Sequence, residues 1–437
     1  MFLPPVRWIS CSAVCVRGDA RTSVGGSWAG HIVEHIALEL QCLAGMEVGF
    51  GKTFGTSTEG VYKVVYRYRV ESVGLRVGKE AVALVEAVAE AQSFDVDRLV
   101  LELKELRESD MLGPSTQSIV DEAQRRGIPV QRLNDASLIQ LGHGERQRRI
   151  QATMTDRCSA LAVEIADEKF RTKRLLEKAG IPTPEGSIVR TLDEAEGAAA
   201  SIGFPVAVKP EVGNHGRGIT AHVSGAKELE AAFAAAHRRC DSVIVERSLT
   251  GFDFRVLVID KHLAAAALRE PAHVVGDGRS TIGQLIEAAN ADPRRGIGHE
   301  RVLTVITVDD LTERLLALRG FDLDHVLADG EGVYLKSTAN LSTGGTARDV
   351  TDEVHQDVRR MCERVARLVD MDCIGIDIVA PSLERPLDPK SAGIVEVNAA
   401  PGLRMHLDPS EGKARNVAVP FVDMLFPLEE DFAVPIV

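Results

Sequence analysis

Apolar residues recur at helical spacing near the start of the chain and at strand-like spacing further on. From His31 to Ala44, apolar positions 32, 33, 36, 37, 40 and 43 follow a helical period and predict a helix. The segment VYKVVYRYRV at 61–70 is rich in β-branched and aromatic residues and predicts a strand. Residues 79–107 and 115–127 predict further helices, whereas residues 1–27 show no clear periodicity and receive no element.

The pattern changes after the polar, basic segment RQRRIQATMTDR at 146–157. Beyond it helical and strand-like segments alternate, with helices predicted at 167–179 and near 226–237 and strands at 206–210, 242–247, 254–260, 373–380 and 393–400. Such alternation is typical of α/β and α+β folds. We therefore predict a small N-terminal α+β domain over 1–155 and a larger α/β and α+β domain over 156–428.

Composition narrows the functional classes. The chain has 437 residues, a net charge of −13 and 4% aromatic residues. Its negative charge does not attract nucleic acid over long range, and its few aromatic rings offer little surface for stacking on bases. No apolar run approaches the roughly 18 residues that a membrane span needs. The seven cysteines are scattered along the chain, and we expect them to be reduced thiols. We expect a cytoplasmic protein that binds neither nucleic acid nor a membrane.

Two strand-like segments near the C-terminal end carry oxygen ligands. GIDIV at 375–379 is followed by VEVNAAPG at 395–402. Side chains alternate along a strand, so Glu396 and Asn398 share a face, and Asp377 on a neighbouring strand completes a compact set. Such a set suits Mg²⁺, which typically takes one or two carboxylates together with substrate phosphates. A polar strand face or an ion pair is the alternative.

A glycine-rich segment follows another predicted strand. In VKPEVGNHGRGI at 208–219, Lys209 ends the strand and glycines occupy 213, 216 and 218. Glycines let backbone N–H groups approach an anion, and a lysine supplies a point charge for phosphate oxygens. The spacing fits neither the Walker A pattern nor GxGxxG, so a plain glycine-rich turn is the alternative.

The order of these features is more specific than any one of them. The charged and amide residues run in the order Lys169, Lys209, Glu246, Arg255, Asp377, Glu396 and Asn398. In this order the chain resembles the ATP-grasp superfamily, whose members activate a carboxylate as an acyl phosphate and join it to an amine. The resemblance implies an ATP-grasp fold with a lid subdomain over about 205–260.

The same resemblance implies roles for individual residues. Lys169 and Lys209 would contact the ATP phosphates and nucleotide, and Glu246 would lie at the adenine and ribose hinge. Arg255 would neutralise the negative charge of the phosphoryl group during its transfer. The loop residues expected to close over the phosphates are Gly213, His215, Gly216, Arg217 and Gly218. The residues expected to hold Mg²⁺ are Asp377, Glu396 and Asn398.

Longer motifs point to a narrower family. They are HIVEHIALELQCLAGMEVGFGKT (31–53), LGPSTQSIVDEAQRRGIP (112–129), EPAHVVGDGRSTIGQLIEAAN (270–290), DPRRGIGH (292–299), YLKSTANLSTGGTARDVTDEVH (334–355) and VNAAPGLRMHLDPSEGKARNVAVPFVDMLFP (397–427). From about Gly30 to Pro427 the chain resembles the cyanophycin synthetase family.

That family builds a poly-aspartate backbone with arginine on each β-carboxyl group. The resemblance implies that this chain phosphorylates the C-terminal backbone carboxylate of a cyanophycin polymer or primer and adds aspartate, with preformed β-Asp-Arg dipeptide as the alternative monomer. It also implies a homo-oligomer. The residues expected to hold the reacting carboxylate or acyl phosphate are Asn340, Ser342, Thr343, Gly344 and Gly345.

Two departures from the family pattern affect the ends of the chain. The family continues into a P-loop of the GTNGKTT type, but this sequence has no Walker A motif, so residues 429–437 are expected to be a linker to a missing arginine-adding domain. Residues 1–27 look unrelated to the family, and we expect a truncated or misassigned start there.

A second chemistry is predicted near the start. His31, Glu34 and His35 spell HxxEH, the inverted zinc-peptidase signature, on a predicted helix. Residues i and i+4 share a helix face, so both imidazoles can reach one Zn²⁺ while Glu34 activates its water. Some members of the family are thought to cut their own polymer at such a site. Glu71 is the predicted third ligand, with Glu39 as the alternative; two surface histidines are the simpler interpretation.

Two other functions remain open at this stage. Bifunctional glutathione synthetases share the VVGDG, DPxRG and STGG patterns, so a glutathione-synthetase-like ligase is the alternative enzyme; the HIVEH segment argues against it. A non-catalytic protein that holds polymer is the alternative from another class, and the complete metal and phosphate set disfavours it.

Overall fold

The computed structural model describes residues 29–58, 61–212, 218–296 and 302–427. They fall into two compact units, the first ending at Leu112 and the second beginning at Gly113.

The first unit is a helical layer with one hairpin. Its elements are α1 (Ala29–Leu43), β1 (Gly51–Gly55), β2 (Tyr62–Tyr66), α2 (Glu71–Ala89) and α3 (Val96–Asp110), and β1 pairs antiparallel with β2. The helical period buries Val33, Ala37 and Leu40 of α1 against apolar residues of α2 and α3. The predicted helix over 31–44 corresponds to α1, and the predicted strand over 61–70 is shorter, because the chain turns into α2 at Glu71.

The second unit begins with one helix and a small sheet. These are α4 (Pro114–Arg125), β3 (Val130–Arg132), β4 (Leu138–Leu141), β5 (Arg148–Gln151) and β6 (Met154–Thr155), the strands pairing in that order. Arg126 Nη1 lies 2.6 Å from Asp423 Oδ1, and Thr153 Oγ1 donates to Pro401 O at 2.9 Å. By compactness, residues 113–155 thus group with the second unit, whereas the sequence predicts them in the first domain.

The next segment forms a four-stranded antiparallel sheet flanked by helices. Its elements are α5 (Ala160–Asp167), α6 (Lys169–Lys178), β7 (Gly186–Val189), α7 (Leu192–Ile202), β8 (Val206–Pro210), β9 (Thr220–Val223), α8 (Ala226–His237) and β10 (Val243–Arg247). The strand order is β7-β10-β8-β9. Since β7 belongs to it, this sheet begins before the predicted lid range of 205–260, and it ends at Arg247.

A five-stranded antiparallel sheet forms the centre of the second unit. The remaining strands are β11 (Phe252–Ile259), β12 (His262–Glu270), β13 (His273–Val275), β14 (Arg295–Gly296), β15 (Leu303–Thr304), β16 (Gly332–Tyr334), β17 (Thr346–Asp349), β18 (Cys373–Ala380) and β19 (Gly393–Asn398). The remaining helices are α9 (Ile282–Asn290), α10 (Asp310–Ala317), α11 (Gln356–Val369), α12 (Arg404–Leu407) and α13 (Ala418–Leu425). The central order is β17-β12-β11-β18-β19.

The two faces of the central sheet differ in polarity. Phe254, Val256, Ile376 and Ile378 alternate onto one face and pack in the main core, which α11 covers. The opposite face carries charged residues from four strands, namely Asp253, Arg255, Arg269, Asp377 and Glu396. Between β12 and β17, the strands β13 to β16 with α9 and α10 enclose a separate apolar cluster.

Within the described residues, no helix is both long enough and apolar enough to cross a membrane.

Gly251 leads into β11 and allows a close backbone approach. Its φ is +138°, and a Cβ there would collide with the main chain of Ala380. Gly251→Ala is therefore expected to lower the free energy of unfolding by at least about 2 kcal/mol, measured by urea denaturation.

Gly197→Ala is the matched control. Gly197 lies within α7, and a Cβ there would meet nothing within 4 Å. The same substitution is expected to stabilise the protein by about 0.5 to 1 kcal/mol, because alanine is the better helix former. Equal effects at the two positions would contradict this account of Gly251.

Candidate active site

Strand register places the predicted charged residues on one face of the central sheet. Arg255 in β11 lies opposite Asp377 in β18, and Asp377 lies opposite Glu396 in β19. Side chains of directly paired residues project from the same face, so the three groups form a row across neighbouring strands. We call this the polar face. Asp253 and its cross-strand partner Arg269 extend it, since Asp253 lies two residues from Arg255.

Asp377 is the most enclosed acid of the polar face. It is 6% exposed and is held by the Nε and Nη2 of Arg255 and, at 3.0 Å, by the Nη2 of Arg269. Burial opposes its ionisation, but the charges of Arg255 and Arg269 outweigh burial and hold the pKa of Asp377 below its usual value. Asp377 is thus a carboxylate whose two oxygens are both engaged by arginines.

Arg269 also bridges to Asp253. Its Nε donates to Asp253 Oδ1 at 2.9 Å. Burial raises the pKa of Asp253, partly opposed by the charge of Arg269. The sequence did not mark Arg269; the signal that could have found it is its register opposite Asp253, which depends on the hairpin between β11 and β12.

Glu396 and Asn398 offer the other predicted Mg²⁺ ligands. They lie two residues apart on β19, both partly exposed, and Glu396 Oε1 lies 3.4 Å from Lys169 Nζ. With Asp377 opposite Glu396, the polar face presents two carboxylates and an amide, a donor set that fits Mg²⁺. Glu396 and Asn398 are the more accessible members, because Asp377 faces the two arginines.

A narrow pocket rich in lysine adjoins this face. Its lining comes mainly from α6, β8, β10 and β19 and includes Lys169, Lys173, Lys209, Glu246 and Glu396. Lys209 Nζ lies 2.6 Å from Glu246 Oε1, and Lys173 Nζ lies 3.2 Å from Glu246 Oε2. Glu396 belongs both to this pocket and to the polar face, so it joins the two parts of the site.

Lys173 also lines the pocket, although it is not among the residues predicted from the sequence. It is 7% exposed, and burial lowers its pKa, opposed by the charge of Glu246 and reinforced by that of Lys209. The signal was present in the sequence: Lys173 follows Lys169 by four residues on α6, so both side chains share one helix face.

The predicted glycine loop is described only in part. Gly213, His215, Gly216 and Arg217 lie outside the described residues, so their part in ATP binding stays a prediction. Gly218 has a φ of +79°, and a Cβ there would lie 2.9 Å from Arg239 Cδ.

The STGG turn uses most of its own backbone donors. Ser342 N donates to Asn340 Oδ1 at 3.0 Å, and Gly345 N donates to Asn340 O at 3.1 Å. Thr343 Oγ1 also donates to Asn340 O, and Gly344 adopts a left-handed φ of +94°. The backbone N–H groups of Ser342 and Gly345 are therefore engaged within the turn, whereas Ser342 is an exposed residue. The role of this turn in holding the reacting carboxylate stays a prediction.

Arg295 braces this turn and was not selected from the sequence either. Its Nη1 donates to Gly344 O at 3.1 Å and to Thr304 O at 2.6 Å. Burial lowers the pKa of its guanidinium. Arg295 lies in the DPRRG segment, which therefore positions the STGG turn.

His406 on α12 lies near the arginines of the polar face. It is 2% exposed, and its Nε2 has no hydrogen-bond partner within the part of the chain that the structure describes. Burial, reinforced by the charge of Arg255, lowers the pKa of the ring to about 3. His406 is therefore neutral.

The first unit holds a separate cluster of metal-ligand side chains. The ligand atoms of His31, Glu34 and His35 lie within 4.8 Å of one another. His35 Nε2 is 3.2 Å from His31 Nε2, and Glu34 Oε2 is 3.5 Å from His31 Nδ1. Helical spacing on α1 brings these groups together. Imidazole nitrogens and carboxylate oxygens are ligand types that bind zinc.

The hairpin β1–β2 orients Glu34. Thr53 Oγ1 donates to Glu34 Oε2 at 2.6 Å, and a Cβ at Gly51 would lie 2.6 Å from Glu34 Cγ. Glu34 is 5% exposed, so the missing side chain at Gly51 makes room for its carboxylate. Glu71, the predicted third ligand, is exposed at the first turn of α2 and is not part of the cluster.

Comparisons with known proteins agree with these two units. Residues 1–90 match the model of the cyanophycin synthase-like N-terminal domain, and residues 168–295 match that of the ATP-binding domain of the carbamoyl-phosphate synthase L chain. The first match starts at residue 1, so the expectation that residues 1–27 are unrelated to the family is wrong.

The chain is also similar to two kinds of curated relative and to a solved structure. The cyanophycin synthetase of Trichormus variabilis is 47% identical over 438 residues, which cover 99% of this chain and 49% of the relative. The glutathione biosynthesis bifunctional protein of Clostridium perfringens is 31% identical, over 71% of this chain and 41% of the relative. The crystal structure of a bifunctional glutathione synthetase from Pasteurella multocida aligns with a TM-score of 0.57 and 28% identity, over 82% of this chain and 52% of that chain.

The chain spans about half the length of the curated cyanophycin synthetases it matches. Within that half, the family model of the ATP-binding domain and the solved glutathione synthetase agree with the ATP-grasp fold. The chain thus carries a cyanophycin synthase-like N-terminal domain and an ATP-grasp domain, and nearly all of it is similar to about half of the curated cyanophycin synthetases.

Proposed function

We propose that this chain is an ATP-dependent carboxylate–amine ligase that extends a cyanophycin polymer or primer by aspartate. The observation that supports this most is the position of Glu396, which lines the lysine pocket and lies in register with Asp377 and Arg255. A nucleotide pocket thereby adjoins a set of groups suited to a transferring phosphoryl group.

The proposed reaction has two steps. A carboxylate oxygen at the polymer C-terminus bonds to the γ-phosphorus of ATP as ADP leaves. The amine nitrogen of aspartate then attacks the acyl carbon, phosphate leaves and a proton is lost. The first step is needed because a carboxylate is a poor electrophile until its oxygen becomes part of a phosphate leaving group.

The chain's own residues would supply position and charge. Lys169 and Lys209 hold the nucleotide and its phosphates, and Arg255 lies where it can neutralise the transferring group. Glu396 and Asn398, with Asp377, would hold Mg²⁺, which ATP-grasp ligases use to neutralise phosphate oxygens. Ser342 of the STGG turn is exposed, and its hydroxyl would donate a hydrogen bond to the reacting carboxylate.

The substrate is tested by ADP release with Mg²⁺, ATP and a short cyanophycin primer, adding aspartate, arginine or β-Asp-Arg in turn. We expect a mass gain of one aspartate. A gain of the whole dipeptide would contradict aspartate as the monomer. Turnover only with γ-glutamylcysteine and glycine would favour the glutathione-synthetase alternative, and primer binding without ADP release would favour a non-catalytic polymer-binding protein.

Glu396→Ala is expected to lower ADP release on the order of 100-fold or more, because it removes the group that joins the pocket to the polar face. Its free energy of unfolding should change little, since the side chain is about one third exposed. Glu384→Ala is the matched control, because Glu384 is exposed in the loop between β18 and β19. Equal activity of the two variants would overturn the assignment of Glu396.

The cluster on α1 supports a second candidate function. We propose that His31, Glu34 and His35 form a zinc site of the inverted zinc-peptidase type, which would cut polymer to make primer ends. Two observations support this proposal: the ligand atoms of the three residues lie close together, and a hydrogen bond from Thr53 orients Glu34.

The zinc proposal predicts about one zinc ion per chain by elemental analysis after equilibration with Zn²⁺ and gel filtration. His35→Ala should reduce this content at least tenfold, because it removes one of the two imidazoles. His262→Ala, an exposed histidine at the start of β12, is the control and should retain the zinc. Zinc content near zero in the unaltered chain, or unchanged polymer length without ATP, would contradict the peptidase function.

A further inference from the structure

Two lysines share one buried carboxylate in the nucleotide pocket. Glu246 is 4% exposed, and each of its oxygens faces a different ammonium group, Oε1 that of Lys209 and Oε2 that of Lys173. The two lysines come from different elements, since Lys173 lies on α6 and Lys209 ends β8. The carboxylate is therefore held from two sides.

The two lysines differ in what surrounds them. Lys209 also lies 3.5 Å from the carbonyl oxygen of Val395 and precedes the glycine segment at 213–218. Lys173 lies on α6, where its neighbours Thr172 and Leu176 are also buried. Lys209 is thus the lysine that closely precedes the predicted glycine loop along the chain, whereas Lys173 lies on the helix α6 that lines the same pocket.

Glu246 itself is suited to only one part of a nucleotide. An ionised carboxylate is an acceptor without donors, so it pairs with hydroxyl or amino groups and repels phosphate oxygens. Phosphates, in contrast, would attract Lys209. On the proposed function, a bound nucleotide would exchange the Lys209–Glu246 contact for two new ones, one from Lys209 to phosphate and one from Glu246 to the nucleoside.

We infer that Lys173 is a positioning residue that keeps Glu246 directed at the nucleoside part of the nucleotide once Lys209 engages the phosphates. This inference rests on the proposed ATP-dependent function. Without Lys173, the exchange would leave a buried carboxylate with no cation, which is costly unless the side chain moves or takes up a proton. Lys173 thus acts on the nucleoside through Glu246.

Two ligands separate this role from a general loss of positive charge. ATP carries both the nucleoside and the phosphates, whereas inorganic tripolyphosphate carries only the phosphates. Dissociation constants for both are measured with Mg²⁺ by isothermal titration calorimetry on the full chain. Lys173→Met is expected to weaken ATP at least tenfold and tripolyphosphate less than twofold.

Matched variants test the division of labour. Lys209→Met, which removes the other lysine of the same carboxylate, should weaken both ligands at least tenfold. Lys178→Met removes an exposed lysine from the end of the same helix and should change neither constant. Lys173→Gln keeps a donor for Glu246 and should fall between the wild type and Lys173→Met for ATP.

A double-mutant cycle tests whether Lys173 acts through Glu246. If it does, Lys173→Met should weaken ATP binding by less than twofold when Glu246 is already glutamine. Additive losses would overturn the inference, since they would mean that Lys173 acts independently of Glu246. Thermal unfolding midpoints of all variants check that each one is folded.

The remaining outcomes are equally decisive. Equal weakening of ATP and tripolyphosphate by Lys173→Met would assign Lys173 a general electrostatic role and overturn the inference. Unchanged ATP binding would overturn it while leaving the proposed function intact. Absence of ATP binding in the unaltered chain would overturn the proposed function and this inference with it.

Discussion

The second unit depends on the alternation of side chains across one five-stranded antiparallel sheet. One face of β11 and β18 is apolar and builds the main core, and the other carries the arginine and carboxylate groups. A shift of one residue in the register would turn Asp377 into the core and Ile376 or Ile378 out of it. The hydrophobic effect therefore fixes the register, and the register in turn sets the geometry of the polar face.

Buried charge is the second constraint, and the site satisfies it internally. Asp377 faces Arg255 and Arg269, and Glu246 faces Lys173 and Lys209. Ionised groups at such depth need partners, because removal from water is costly for an isolated charge. On the proposed function, ligand binding at this site would exchange ionic partners, and specificity would depend on which partner stays in place.

In the first unit, a helix rather than a sheet brings the polar side chains of the candidate site together. Helical spacing on α1 aligns His31, Glu34 and His35, and a neighbouring hairpin supplies Thr53 as a donor to Glu34. The absence of a side chain at Gly51 gives the carboxylate its space. A five-residue pattern thus sets which groups meet, but the packing of the hairpin sets how the carboxylate points.

The sequence by itself determined the features that follow from local periodicity. Glu396 and Asn398 lie on one face of a strand, His31 and His35 on one face of a helix, and most helices and strands lie near their predicted positions. These relations involve residues a few positions apart, for which backbone geometry leaves few alternatives. The ATP-grasp fold was also predictable from the motifs, and the family and structure matches agree with it.

Only the tertiary structure decided which distant groups are partners. It brought Arg269 to Asp377, Lys173 to Glu246 and Arg295 to the STGG turn, grouped residues 113–155 with the second unit, and left Glu71 outside the histidine cluster. The physical reason is that ion pairs and hydrogen bonds form between groups close in space, and that closeness follows from strand register and helix packing. Neither can be read from sequence separation.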